Sequence, residues 1–296
     1  MNNQIKKINL KHSLIFFLFC NIFSLVTFVI NDFAISPLIC LLLILSIGIS
    51  HGSLDNIKGK KLFQIFGINN LSIFYLLYIL TSITIIILWI IAPMFSLLIF
   101  LFIASYHFGK EDTQFLIIKK SFFTQLLYFI KGTLIILAPM YFHFDETVSI
   151  FKLLLVDNES FYKFLNFIET NRILYFGIVL ATLSNIFLFT KNFEFKKFTI
   201  FLDYFSILII NYIFSPLIAF TLYFCFLHSI RHSISLMLEL NETDLNIGFK
   251  LFLKKALPLT FLTAAFCLVG LYFLNNAYSF NSSIIKETVN TIETNY

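Results

Sequence analysis

The chain has 296 residues, of which 59% are hydrophobic and only 12% are charged, and its mean hydropathy is +0.89. Soluble domains carry about 25% charged residues, so this composition excludes a soluble enzyme and a nucleic-acid-binding domain. The apolar runs are long and do not alternate with polar residues, which predicts transmembrane helices rather than a β-barrel. The predicted fold class is therefore all-α, a multi-pass transmembrane helix bundle.

Apolar segments of nearly membrane-spanning length follow one another along the chain. We predict nine spans, with eight or ten as alternatives, at residues 13–30, 34–51, 71–92, 93–109, 121–141, 172–190, 198–214, 216–238 and 256–274. Pro93 and Pro216 stand at two very short joins, and because proline is disfavoured inside a helix, each marks a new helix start. We expect one domain over residues 1–275, a polar tail over residues 276–296, and an interfacial helix around residues 160–170.

Basic residues outside these segments follow the predicted alternation of loops. If the N-terminus and every second loop share one side, that side holds five groups of three lysines: 6, 7, 11; 58, 60, 61; 110, 119, 120; 191, 196, 197; and 250, 254, 255. The opposite side holds only Lys152, Lys163, Arg172 and Lys286. Because Lys and Arg concentrate in cytoplasmic loops, we predict a cytoplasmic N-terminus in the cell (inner) membrane.

Four histidines lie inside predicted spans. His228 and His232 are four residues apart, so on a helix they share one face, a spacing that lets two imidazoles reach one metal ion. His51 and His107 lie in two other spans that cross the membrane in the same direction. At a rise of roughly 1.5 Å per residue, all four come within several ångströms of one depth. This agreement favours a shared metal site, and imidazole suits Fe, Zn, Cu or Ni.

Two charged residues beside these histidines are candidates for supporting the site. Asp55 follows His51 by four residues and could accept a hydrogen bond from its ring, although a solvated loop after a helix end is the alternative. Arg231, between the paired histidines, is expensive at membrane depth and therefore needs a partner. Asp55, Glu111, Asp112 and a lipid phosphate are all candidates for that partner.

Three short motifs then occur in order along the chain: His51-Gly52-Ser53-Leu54-Asp55, Tyr106-His107-Phe108-Gly109 and His228-Ser229-Ile230-Arg231-His232. Together they resemble the motifs of the Brp/Blh (bacteriorhodopsin-related-protein-like) family of membrane β-carotene 15,15'-dioxygenases. The resemblance covers roughly residues 39–274. Members of that family often continue into a further apolar segment containing Pro-His, whereas this chain ends in a polar tail.

The resemblance implies a non-haem Fe(2+) ion held by the four histidines of the motifs: His51, His107, His228 and His232. It also implies O2-dependent cleavage of the central 15,15' double bond of β-carotene into two molecules of all-trans-retinal. The retinal would pass to a rhodopsin, and the surroundings of the site would be membrane lipid, with no nucleic acid as partner. From their positions beside the histidines, Asp55 and Arg231 remain candidates for contacts behind the metal ligands.

Two other functional classes stay open from the residues alone. A desaturase-like or hydroxylase-like membrane oxidoreductase shares the His-x-x-x-His pair, but its di-iron site needs about eight histidines, and this chain has six. A transporter, or an electron carrier with haem between two histidines, is the other class. The optical spectrum separates a haem protein from a non-haem iron enzyme.

Overall fold

The computed structural model describes residues 3–30, 35–48, 52, 54–68, 70–117, 121–154, 156 and 158–277. Those residues fold into helices joined by short turns, and no β-strand occurs among them. The all-α prediction is therefore confirmed. The predictions that concern His51, and all but the first residues of the polar tail, lie outside the described ranges.

The α-helices and two π-helices follow one another in a simple order. They are α1 (Asn3–Val29), α2 (Pro37–Leu43), π1 (Ile44–Gly48), α3 (Asp55–Ile65), α4 (Leu71–Ile91), α5 (Pro93–Glu111), α6 (Phe122–Phe142), α7 (Phe144–Leu153), α8 (Glu159–Thr170), α9 (Ile173–Thr190), α10 (Phe198–Ile213), α11 (Pro216–Thr221), π2 (Leu222–Ser229), α12 (Ile230–Leu240) and α13 (Leu245–Ala277). Short 3-10 turns at Gln114–Leu116 and Phe195–Lys197 precede α6 and α10.

Seven helical stretches within the described residues are long and apolar enough to cross a membrane: Asn3–Val29, Ser72–Ile91, Pro93–Leu116, Phe122–Phe142, Ile173–Thr190, Pro216–Leu240 and Leu245–Gly270. They correspond to seven of the nine predicted spans. The other two predicted spans are shorter helices, Pro37–Gly48 and α10. The 16 residues of α10 reach only about 24 Å, less than the roughly 30 Å of hydrocarbon. The count of nine and the cytoplasmic N-terminus stay predictions.

Prolines divide the apolar runs where the sequence predicts it. Helix α4 ends at Ile91 and α5 begins at Pro93, while α10 ends at Ile213 and α11 begins at Pro216. Proline suits the first helical position because the amide hydrogen it lacks has no partner there. The interfacial helix predicted around residues 160–170 is present as α8, and α7 before it is an addition that the sequence pattern does not predict. Helix α13 begins well before its predicted first residue.

Close contact between α5 and α6 fixes the position of the last turn of α5. A Cβ atom on Gly109 would lie 1.8 Å from the carbonyl oxygen of Tyr128, and one on Gly132 would lie 1.7 Å from that of Ser105. Glycine at both positions therefore lets the two backbones touch, as small residues do where membrane helices pack. The histidine motif 106–109 is in this way held against the buried centre of the bundle.

A π-helix of eight residues, π2, leads into the second histidine motif. Such helices usually last a single turn and occur often at functional sites. The shorter π1 packs against π2, and a Cβ atom on Gly48 would lie 2.6 Å from the ring of Phe224. Gly48 thus admits the Phe224 ring, and π1, which ends at Gly48, is brought against the helix that carries His228.

Candidate metal centre

Two of the predicted ligand residues come together across the bundle. His107 lies near the end of α5, and its ring centroid is 5.3 Å from that of His228 at the end of π2. His228 is fully buried, whereas His107 is half-buried. Since the two residues are far apart in sequence, only the packing of α5 against π2 makes them neighbours.

Asp112, at the end of α5, holds the ring of His228 in place. The Nδ1–H group of His228 donates to Oδ1 of Asp112 over 3.0 Å, and the hydroxyl of Tyr223 donates to Oδ2 over 2.6 Å. Both carboxylate oxygens therefore have a donor, in surroundings with almost no solvent exposure. A carboxylate on one ring nitrogen directs the other nitrogen, here Nε2, towards a ligand, as in many metal-binding histidines.

Glu111 has the same relation to His232, the other member of the pair. The Nδ1–H group of His232 donates to Oε2 of Glu111 over 3.2 Å. Its Nε2 atom is 3.1 Å from the amine of Lys58, which belongs to α3. Two consecutive carboxylates at the end of α5 thus orient both histidines, and Lys58 occupies the Nε2 side of His232.

Arg231 is fully buried, and its principal partner is Asp203 of α10. The guanidinium group donates to both carboxylate oxygens of Asp203, over 2.6 and 3.0 Å, a bidentate arrangement that gives strong pairs. It also donates to the hydroxyl of Ser13 over 2.7 Å and to the backbone carbonyl of Asp112 over 3.3 Å. Of the three acidic residues that the sequence suggests as partners, Asp112 contacts Arg231, and its Oδ1 atom lies 3.9 Å from the guanidinium group. The sequence reasoning does not suggest Asp203.

Buried charges around the centre balance one another. The carboxylates of Asp112 and Asp203 are accompanied by Arg231 and by Lys131 of α6, which is also buried. Lys131 lies near enough to both carboxylates to interact with them electrostatically, and it lines a small cavity together with Asp112. Burial of an ion in apolar surroundings is tolerated when opposite charges compensate it, and the formal charges of these two carboxylates and two cations sum to zero.

Asp55 lies near enough to Lys58 and His232 to interact with both electrostatically. It lies in the first turn of α3, and its carboxylate is within hydrogen-bonding reach of the Tyr78 hydroxyl. Burial raises the pKa of Asp55, and the nearby Lys58 opposes that change. The predicted contact of Asp55 with His51 falls outside the described residues.

The sequence reasoning missed Asp203, and it considered Glu111 and Asp112 only as partners of Arg231, not as acceptors for the histidine rings. A signal existed for each. Glu111 and Asp112 follow His107 by about one helical turn, which places them at the same end of the same helix. Asp203 is an acidic residue within the apolar run 198–214, where a charge is expensive and calls for a partner such as Arg231.

Among the described residues, no group of three or more His, Cys, Asp or Glu side chains has the arrangement of a metal site. His51 is not part of that comparison. A family model described as Beta-carotene 15,15'-dioxygenase matches residues 42–292 of the chain.

The chain belongs to the β-carotene 15,15'-dioxygenase family. This membership confirms the resemblance seen in the three motifs, and all three lie inside the matched region. A dioxygenase of this family acts on a carotenoid, and the long apolar helices agree with an enzyme embedded in a membrane. Neither a curated protein nor a solved structure matches the chain.

In this β-carotene dioxygenase family member, Asp112→Asn is expected to lower the affinity for the iron ion predicted from the sequence about 10- to 100-fold, because the amide weakens the orientation of His228. Glu111→Gln is expected to act in the same direction through His232. The measurement is iron content after dialysis against a graded chelator. Asp145→Asn, in the first turn of α7, is the matched control. Equal iron retention by the Asp112 variant and the control would contradict the orienting role.

Proposed function

We propose that this protein cleaves the central 15,15' double bond of β-carotene with O2 and releases two molecules of all-trans-retinal. The proposal names Fe(2+) as the metal and His51, His107, His228 and His232 as its ligands. The enzyme would lie in the cell membrane, and the retinal that it releases would pass to a rhodopsin. Membership of the β-carotene 15,15'-dioxygenase family supports a carotenoid substrate and dioxygenase chemistry.

The observation that carries the proposal is the pair of carboxylate–histidine contacts beside His107. Asp112 and Glu111 accept from the Nδ1–H groups of His228 and His232, so Nε2 is the nitrogen that each ring has for a metal. This donor set fits an iron ion, since imidazole is a suitable ligand and its second nitrogen is commonly held by a carboxylate. Binding through His232 requires the Lys58 amine to move from Nε2.

When bound there, iron supplies the redox chemistry that O2 needs to react with an alkene. The side chains of the protein have other tasks. Asp112 and Glu111 orient the imidazoles, Tyr223 holds the second oxygen of Asp112, and the surrounding apolar helices exclude water from the site. A carotenoid dissolves in the hydrocarbon of the bilayer, so an active site between membrane helices receives it without transfer through water.

Expression in cells that accumulate β-carotene is the direct test. We expect the orange colour to fade and retinal to accumulate, with chromatography identifying the product. Cells that express His228→Ala at the same membrane level serve as the control and should keep their colour. Persistent colour with abundant native protein would refute the carotenoid assignment, and a Soret band in the purified protein would favour haem instead.

A further inference from the structure

Two side chains of π2 hold the same carboxylate, and their spacing requires the π-helix. Tyr223 donates to Oδ2 of Asp112 over 2.6 Å, and His228 donates to Oδ1 over 3.0 Å. The two donors are five positions apart, and each residue of an α-helix turns by about 100°, so an α-helix would point them about 140° apart. In a π-helix the hydrogen bonds join residues five positions apart, which brings the two donors to one side. The contact with Asp112 therefore depends on the π-helical form of π2.

The backbone bonding pattern changes where π2 ends at Ser229 and α12 begins at Ile230. Amides bond five residues back in a π-helix and four residues back in an α-helix, so the change of pattern passes over one carbonyl. The amide of Ile230, whose α-helical acceptor would be the carbonyl of Phe226, donates to the carbonyl of Leu227. The Phe226 carbonyl thus lies at the change of pattern, where a donor from another helix can stabilise it.

His12 of α1 supplies such a donor. Its Nε2 atom lies 2.9 Å from the carbonyl oxygen of Phe226, a contact between residues 214 positions apart in the chain. Because a carbonyl oxygen can only accept, Nε2 carries the hydrogen. The His12 side chain is half-buried within a helix long and apolar enough to cross a membrane. In hydrocarbon no water can bond to a free carbonyl, so a side-chain donor at this point favours the π-helix.

The next residue of α1 contacts the other end of the same histidine motif. The Ser13 hydroxyl donates to Oδ1 of Asp203 and accepts from the guanidinium group of Arg231, each over 2.7 Å. Two consecutive residues of α1 therefore hold the segment on both sides of His228. Helix α1 lies before residues 42–292, which the family model matches, so the three motifs give no indication of this contact.

We infer that His12 is a positioning residue for the candidate metal centre. Its hydrogen bond to the Phe226 carbonyl stabilises the π-helical form of π2, and that form lets Tyr223 and His228 share the carboxylate of Asp112. In this role His12 acts only through π2 and takes no part in the chemistry. The consequence for metal binding rests on the proposed function, whereas the consequence for the conformation of π2 does not.

Hydrogen exchange tests the link between His12 and π2. The full-length protein in lipid nanodiscs is exchanged into D2O, and mass spectrometry follows the peptides that cover residues 222–229. His12→Phe keeps a ring but removes the donor, whereas His12→Gln keeps an N–H donor. We expect the amides of π2 to exchange about two- to tenfold faster in His12→Phe, the factor that corresponds to one lost hydrogen bond. His12→Gln should exchange at the rate of the wild type.

Binding of Co2+, an optical substitute for Fe2+, tests the effect on the centre. His12→Phe is expected to raise the dissociation constant about three- to tenfold, less than the loss of a group that bonds a metal ligand directly, because His12 acts one contact further away. The visible absorption band of the bound Co2+ should change as well, since the direction of His228 changes. His12→Gln should restore both. A purely structural role would lower stability and leave the band unchanged.

Asn21→Leu is the matched control. Asn21 is another half-buried residue of α1 whose side chain donates to a backbone carbonyl, that of Phe17 in the same helix, over 2.7 Å. The control should exchange and bind Co2+ like the wild type. Unchanged exchange in His12→Phe would overturn the inference, and so would unchanged Co2+ binding or an equal effect of Asn21→Leu.

The two measurements separate this inference from the proposed function. If the wild type binds neither Co2+ nor Fe2+, the proposed metal fails, and the exchange rates alone decide whether His12 stabilises π2. If the wild type binds iron and forms retinal while the His12 variants match it in both measurements, the proposed function stands and the positioning role is wrong.

Discussion

Replacing His228 with alanine is expected to abolish binding of the proposed iron ion and to lower the proposed carotenoid cleavage by at least about 100-fold. Loss of residues that merely orient a metal ligand already costs about 10- to 100-fold, and His228 is a proposed ligand itself. Its ring lies 5.3 Å from that of His107 and donates to Asp112, so its loss also leaves that carboxylate without one donor. Iron content and retinal formation per milligram of membrane protein are the two measurements.

His143→Ala is the control for this experiment. His143 lies at the start of α7, near Glu146, and within the described part of the chain its side chain contacts no residue of the candidate centre. The control should keep its iron and its activity, and His107→Ala and His232→Ala should lose both. A His228→Ala protein that cleaves β-carotene at the normal rate would remove the four-histidine proposal altogether.

Breaking the Arg231–Asp203 pair is expected to give the largest loss of stability. Among the described residues, Arg231→Met leaves the buried Asp203 carboxylate with the Ser13 hydroxyl as its direct hydrogen-bond donor, and removing one partner of a buried ion pair costs about 3–5 kcal/mol. Asp203→Leu removes the two hydrogen bonds of the guanidinium group to Asp203, although the Asp112 carboxylate stays 3.9 Å away, and it should also destabilise the protein. Unfolding of the purified protein in detergent by a graded denaturant, followed by circular dichroism, measures the change.

The double variant Arg231→Met, Asp203→Leu separates the pair from the packing around it. Removing both charges together leaves no unpaired ion at this position, so its free energy of unfolding should exceed that of either single variant. If the losses of the single variants simply add in the double variant, the two residues are not coupled, and the ion pair does not explain the buried arginine. Lys163→Met, at the exposed end of a surface pair with Glu159, should change stability by less than about 1 kcal/mol.

The Arg231–Asp203 ion pair also connects the stability of the helix bundle with the geometry of the candidate metal centre. Arg231 lies between the two candidate ligands His228 and His232 in sequence, and it donates to the backbone carbonyl of Asp112. Asp203 therefore anchors, through Arg231, both the helix that carries the paired histidines and the end of α5. An arginine at membrane depth is explained by this structural task, with no need for a direct role in catalysis.

Much of the architecture follows from the chain read one segment at a time. Long apolar runs predict helices because each backbone amide must bond within its own segment when no water is present. Pro93 and Pro216 mark helix starts for a reason contained in the proline ring itself. Span number is harder, since α10 and the stretch 37–48 are apolar but short, and their depth depends on the helices around them.

Some features of the candidate centre are likewise visible in the sequence, whereas others depend on the fold. The spacing of His228 and His232, the positions of His107 and His51, and the three family motifs are properties of the sequence alone. Which carboxylate faces which histidine is decided by the bundle. Glu111 and Asp112 are adjacent in the chain, yet one meets His232 and the other meets His228, because α5 ends against the junction of π2 and α12.

By itself, the sequence determined the helical class, the membrane setting, the family and the set of candidate ligands, because each depends on residue type and spacing along one segment. Only the tertiary structure decided the partner of Arg231 and the carboxylate behind each histidine. Those features arise where faces of different helices meet. Periodicity shows which face of a helix is apolar, but the helix that covers this face is selected by the close packing of the whole bundle.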